Sequence, residues 1–217
     1  MNEAIQSFNS VINSYRSSPL ASASMLELGL LYADQGKYIE AANTFDKLEQ
    51  QFAGTESAMR ASYEKAVAYH AAKEVAKAEA QFRLVAEKHK GSLYGDKGMI
   101  GIGIIRQQRE QYGDAIAAFT EVAGRRTDEV GAEAQYRIGE TLFKQQLYKD
   151  AVTALLRVKY VYPSSRDYIA RAYLKIGECY EKVSDKGKAR EAYQTVLKTH
   201  KEDEFGREAD KKMKELQ

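Results

Sequence analysis

The chain has 217 residues, 33 of them Lys or Arg and 31 Asp or Glu, and the resulting formal net charge of +2 excludes the strongly basic face by which nucleic acid is bound. With 44% apolar and 29% charged residues the composition is that of a globular protein. The longest apolar stretch, Ile100 to Ile105 with its interrupting glycines, falls well short of the roughly 20 residues that a membrane-spanning helix needs.

A single cysteine, Cys179, excludes an internal disulfide, and only two prolines, Pro19 and Pro163, interrupt a chain that otherwise favours helix. Read in order, residues 2–16 place Ala4, Phe8 and Val11 on one helical face, with Ile5, Ile12 and Tyr15 beside them, and Ser17-Ser18-Pro19 ends the segment. Residues 20–56 hold two helical patterns: Gly29 followed by Tyr32 and then, past the turn Asp34-Gln35-Gly36-Lys37, Ala41 with Phe45 and Leu48. Residues 57–94 repeat the pair as Ala66 with Tyr69, then Ala78 with Phe82 and Val85. Residues 95–129 repeat it as Gly103, where Arg106 replaces the ring, then Ala115 with Phe119 and Val122. Residues 130–166 give Gly139 with Leu142, then Ala151 with Leu155 and Val158; residues 167–202 give Gly177 with Tyr180, then Ala189 with Tyr193 and Val196. Residues 203–217, with Ala209, Met213 and Leu216, read as a closing helix.

From Ala4 onward the second-helix alanines recur at intervals of 37, 37, 37, 36 and 38 residues, a period that marks arrays of small structural units. Residues three and four apart share a helix face, so each unit reads as two antiparallel helices of about 12–15 residues. The small residue lets two backbones approach, and the large side chain fills the space beside it. One pair cannot bury its apolar face alone, so the units must stack along the whole of residues 1–217 as a single all-α solenoid. Residues 1–19 match only the second helix of a unit, whereas terminal units normally carry a polar outer face. The expectation is that this is the carboxyl-terminal piece of a longer protein, with a capping role for residues 2–16 as the alternative.

These residues resemble the tetratricopeptide repeat, whose pattern runs small–large in the first helix and Ala-x-x-x-Phe in the second. The resemblance covers essentially the whole chain. It implies a right-handed superhelical solenoid of antiparallel helix pairs that holds other proteins, with no enzymatic activity and no cofactor. The period near 37 exceeds the family's usual length of about 34, the first-helix tryptophan is missing throughout, and the closing proline survives only as Pro163. Tyr15-Arg16-Ser17-Ser18-Pro19, Tyr162-Pro163-Ser164-Ser165 and the closing helix resemble bacterial envelope members of the family, the outer-membrane assembly lipoproteins and the Tol–Pal coordinator. That likeness favours the periplasm or cell envelope over the cytoplasm.

The same resemblance implies that the first helices line a concave groove. The lining comes from the residues three before and one after each small residue: Leu26 and Leu30, Tyr63 and Val67, Ile100 and Ile104, Tyr136 and Glu140, Leu174 and Glu178. His70, Gln107, Phe143 and Glu181 lie further along that face. The expected guest is an extended or helical amphipathic segment, apolar against the first three units and basic against Glu140, Glu178 and Glu181. The lysine–asparagine pattern that clamps a carboxyl terminus in some family members is missing, Leu26 and Leu30 or Tyr136 and Glu140 standing in its places. Self-assembly through the open edge at residues 2–16 is the second reading, and single-stranded RNA binding a third that the charge balance and the non-repeating lining oppose.

No catalytic or metal constellation emerges. His89 and His200 stand eleven places after Ala78 and Ala189, the slot held elsewhere by Tyr15, Phe52 and Tyr162, and Cys179 lies on a packed first helix, where thiols are inert. Gly98, Gly101 and Gly103 lack the preceding strand of a phosphate loop and read as a close helix approach, making the third unit the softest joint of the array. Paired carboxylates such as Glu178 and Glu181 mark no substrate pocket.

Overall fold

The computed structural model describes residues 2–216, and among them every regular element is a helix. In chain order these are α1 (Asn2–Ser14), α2 (Pro19–Asp34), α3 (Tyr38–Gln51), α4 (Glu56–Ala71), α5 (Val75–Lys88), α6 (Leu93–Gln108), α7 (Tyr112–Ala123), α8 (Glu129–Lys144), α9 (Tyr148–Val161), α10 (Arg166–Lys182), α11 (Lys186–Leu197) and α12 (Glu204–Glu215). The even-numbered helices α2 to α10 carry the small-x-x-large pattern and are called A-type here; α1 and the odd-numbered helices after it carry Ala-x-x-x-large and are B-type. A-type helices run 16–17 residues, longer than the spacing suggested.

Those caps are regular. The side chains of Ser18, Thr55, Ser92, Asp128 and Asp203 accept a hydrogen bond from the backbone N–H three residues on, satisfying a donor that the helix cannot. Pro19 follows its capping serine and opens α2 at a position where no N–H is needed. After Pro163 the order differs: Ser165 stands at the start of α10 without a side-chain cap bond.

Two compact units make up the chain, one up to Ile105 and one from Arg106 onward; the division falls inside α6. In the first unit α2 packs on α1 and α3, α4 packs on α3 and α5, and α2 also touches α4. In the second, α8 packs on α7 and α9, α10 on α9 and α11, and α12 on α11, while α8 touches α10 and α10 touches α12.

Three of the pairs are held at one point of close approach. A Cβ added at Gly29 would overlap the Phe45 ring, one at Gly139 the Leu155 side chain and one at Gly177 the Tyr193 ring. The A-type residue thus has to be small because the B-type side chain occupies its place. At Gly101 the overlap is with the ring of Phe82, 2.6 Å away, in the preceding pair. Ala41, Phe45, Leu48 and their counterparts through Val196 form the deepest layer, none more than 4% exposed. Buried polar pins cross the same layer: Gln81 Nε2 donates to Ser62 Oγ at 2.9 Å and Gln135 Nε2 to the Ala154 carbonyl at 2.9 Å. Lys65, 8% exposed, spans Asp46 and Glu49 at 2.9 Å each.

The turn from A to B helix is the same in all five pairs. The residue after the A-helix cap adopts a left-handed backbone: Gly36 in the first pair, then Lys73, Glu110, Gln146 and Ser184 with φ of 60° to 63°. Its N–H and that of the next residue return to the carbonyls three and five places back, as in Gly36 to Ala33 and Lys37 to Tyr32, or Gln146 to Phe143 and Leu147 to Leu142. This is the Schellman closure of a helix. A left-handed non-glycine residue is strained by roughly 1–2 kcal/mol, so four of the five turns are held by their hydrogen bonds against local preference.

Two outcomes follow for urea unfolding. Phe45→Ala or Phe82→Ala is expected to lower stability by about 3–5 kcal/mol. Gly36→Ala is expected to lose about 1 kcal/mol and Gln146→Gly to gain about 0.5–1 kcal/mol, with helix content by circular dichroism unchanged in both.

Candidate partner-binding surface

The A-type helices of each unit present a row of side chains beside the core, and the thirteen positions expected to line a groove divide sharply by depth. Leu26, Ile100 and Leu174 are only 7%, 3% and 6% exposed; they belong to the core, Leu26 with Met25 and Phe45 and Leu174 with Tyr193 and Phe205. These three are corrected from lining to core. Leu30, Tyr63, Val67, His70, Ile104, Tyr136, Glu140, Phe143, Glu178 and Glu181 are half-buried. Gln107 is buried, donating from Nε2 to Thr141 Oγ1 and accepting from Lys144 Nζ, both at 2.8 Å.

In the first unit the surface centres on Tyr63. Its ring lies 6.0 Å from that of Phe82 and 6.2 Å from that of Tyr94, and the Lys97 ammonium stands 5.6 Å over it. Val67 and Met99 pack against the same cluster, and Leu30 against the one before it. Glu64, one residue on from Tyr63, is ion-paired with Arg60 at 3.7 Å, yet burial outweighs the arginine and raises its carboxyl above the ordinary value.

In the second unit aromatic rings and ion pairs alternate. Tyr136 of α8 faces Tyr168 of α10 with centroids 6.1 Å apart, and the Arg171 guanidinium lies 5.9 Å over Tyr168. Phe143 meets Tyr148 edge-on at 5.4 Å and carries the Lys175 ammonium 4.9 Å over its face. The carboxylates read from sequence as an acidic half are already engaged. Glu140 binds Arg137 at 2.9 Å, Glu178 binds Lys175 at 2.6 Å, and Glu181 accepts from the Tyr193 hydroxyl. Arg137 also reaches Glu133 at 3.6 Å. The expectation of free acidic groups awaiting a basic guest is therefore corrected for Glu140 and Glu178, which are ion-paired within the chain, whereas Glu181 meets only a neutral hydroxyl. Burial lowers Lys175, but its hydrogen bond to Glu178 and the surrounding negative groups outweigh that and hold it above the ordinary lysine value. Pairing thus keeps the ammonium charged.

A feature unseen in the sequence lies elsewhere in the second unit: a cavity of about 510 Å³ where the end of α10 meets the starts of α9 and α11, bounded by Tyr148, Val152, Cys179, Tyr180, Val183 and Lys188 among others. Cys179 is 1% exposed, and burial pushes its thiol up to about 12, so no thiolate is available there at neutral pH. His200 is bound through Nδ1 to Asp203 at 2.6 Å and stacked edge-on to Phe205. Among the described residues no group of three or more His, Cys, Asp or Glu is placed to hold a metal ion, and no helix is long and apolar enough to cross a membrane.

Stacked antiparallel helix pairs, closed by one repeated turn and presenting a row of half-buried aromatic side chains, define a helical-repeat protein. The chain belongs to the tetratricopeptide repeat family: a profile with that description matches residues 2–55, 26–92 and 100–166, and a second matches residues 171–203. The fold is accordingly that of a protein–protein interaction scaffold. A comparison with curated proteins finds no match in sequence. Among solved structures the chain is similar to YrrB, described as a tetratricopeptide repeat protein with an unusual peptide-binding site (17% identity, TM-score 0.54, 94% of this chain and 97% of that one). It is similar also to BtubC from P. vanneervenii (12%, 0.71, 91% and 87%) and to MamA (16%, 0.60, 83% and 92%). At these identities the likeness establishes the fold.

Alkali tests the packing of these rings. Burial, ahead of any neighbouring charge, raises the phenols of Tyr94, Tyr136, Tyr162, Tyr168 and Tyr193 above the ordinary value of 10.0. The native chain then keeps protons that the unfolded chain releases, so stability is complete below pH 10 and falls as pH rises beyond it. Ultraviolet absorbance should show one set of tyrosines titrating near the ordinary value and a second appearing only as helix is lost; a single transition that leaves the helices intact contradicts the packing described.

Proposed function

We propose that the chain holds segments of another polypeptide against its A-type helices, with Tyr63 as the anchor in the first unit and, separately, Tyr136, Tyr168 and Phe143 in the second. The observation that carries this reading is a row of half-buried rings, three of which carry a cation over the face: Lys97 over Tyr63, Arg171 over Tyr168, and Lys175 over Phe143, the last bonded to Glu178. Such a surface offers large, rigid apolar area of the kind that anchors a partner. The favoured guest is an extended or helical amphipathic segment whose apolar side chains meet these rings. Because Glu140 and Glu178 are ion-paired within the chain, only Glu181 is left to favour a basic group on it. The peptide site named for YrrB lends support to this mode of use.

We further propose that the guest is met in the bacterial cell envelope, the periplasm in preference to the cytoplasm. What supports this is the family resemblance carried by the long repeats and the Tyr162-Pro163-Ser164-Ser165 turn. Fractionation of cells expressing the natural protein decides the compartment.

The binding reading is tested by panning a random peptide display library on the folded chain. Tyr63→Ala with Tyr136→Ala is expected to reduce recovery of selected clones by at least about tenfold, the equivalent of 1.4 kcal/mol, while circular dichroism stays native. Undiminished recovery by the folded double variant would remove the A-helix row as the site.

A further inference from the structure

The cavity of about 510 Å³ in the second unit lies at helix ends, where the start of α9, the end of α10 and the start of α11 meet. It is distinct from the ring anchors, although Tyr148 on its wall meets Phe143 edge-on. Its volume falls within the ~300–1,000 Å³ of sites that take small molecules. The deepest residues of the lining are apolar, Cys179 at 1% and Val152 at 9% exposed, and a protonated buried thiol acts as a small hydrophobic wall. The rings of Tyr148 and Tyr180 are half-buried beside them. Val183, which also lines the cavity, is 46% exposed, so the site keeps apolar surface in water that an apolar occupant would remove from it.

The charges of the lining do not cancel. The Lys188 ammonium is engaged, 3.1 Å from Asp185 and 5.4 Å over the Tyr180 ring. Lys149 is exposed and pairs with no carboxylate among the described residues. Two lysines against one aspartate thus leave the lining with one positive charge. An apolar floor with one uncompensated cation suits an apolar body that carries a single negative charge. A carboxylate has that charge, whereas a phosphate monoester, at about −1.5 to −2 near neutral pH, brings more than the lining neutralises. We propose that the cavity binds a small free organic acid, an aryl or branched alkyl group with one carboxylate, its apolar part against Val152, Cys179 and the tyrosine rings and its carboxylate on Lys149 Nζ. The carboxyl end of a polypeptide is a poorer occupant. It brings an amide next to the carboxylate, and the lining holds no Asn or Gln to satisfy it, while the Thr153 hydroxyl already donates to the Lys149 carbonyl at 3.1 Å.

The probes are phenylbutyrate and isovalerate, with phenylbutyramide as the uncharged control. Titrated into the isotope-labelled chain, at least one acid is expected to give saturable amide shifts at the start of α9, the end of α10 and the start of α11, half-complete below about 1 mM. The uncharged control is expected to bind at least about tenfold more weakly, as is the acid to Lys149→Glu, a change at an exposed position that leaves the fold intact. Val152→Trp fills the cavity and is expected to abolish the shifts; should that variant fail to fold, the Lys149→Glu comparison decides. Failure of both acids to half-saturate the chain by about 1 mM overturns the proposal, as does equal binding of the amide or an unchanged affinity in Lys149→Glu. Tighter binding of acetyl-alanyl-phenylalanine than of either free acid overturns the choice of a small acid over a chain end.

Discussion

The fold rests on one steric exchange, made in the first, fourth and fifth helix pairs. An A-type helix gives up a side chain at Gly29, Gly139 or Gly177, and the paired B-type helix fills the gap with Phe45, Leu155 or Tyr193. The exchange sets how closely the two backbones pack, and that closeness leaves no room for water in the layer formed by Ala41, Leu48 and their equivalents. Because the exchange works only if both partners keep their size, it also fixes register: sliding one helix by a turn would set a branched side chain against a branched side chain. The polar pins of Gln81 and Gln135 reinforce the same register, since each finds its acceptor only when the pair is correctly aligned.

The units were legible in the sequence because the exchange is written in residue size at a fixed period, and size at helical spacing is what a single sequence displays most plainly. The binding face was legible only in part. All five residues three places before the small one were assigned to the lining. The structure keeps Tyr63 and Tyr136 half-exposed and buries Leu26, Ile100 and Leu174. The position sits at the rim of the core, where an aliphatic side chain ends inside the rim and a tyrosine reaches past it. Side-chain length, not apolarity, decides which of the five a guest can touch.

Charge was misread for a related reason. Glu140 and Glu178 read from type alone as an acidic lining, although Arg137 and Lys175 lie three residues before them, a spacing at which helical side chains meet. That pairing was available in the sequence. The cavity beside Cys179 was not, since it is bounded by residues from two helix starts and one helix end that no local pattern connects. Nor were the left-handed turns beyond the first. Gly36 announced its turn, but Lys73, Glu110, Gln146 and Ser184 carry no local preference for that conformation and are held there by the hydrogen bonds of the helix they terminate.

Those four turn residues are all exposed, and none contributes a side chain to the core or to the rings of the A-type helices. Their identity is therefore nearly free while their backbone is fixed. Each is a rigid, individually addressable point, one per repeat from the second pair to the fifth. A spin label or fluorophore attached at these points would track the breathing of single repeats, leaving the packed layers and the recognition face untouched.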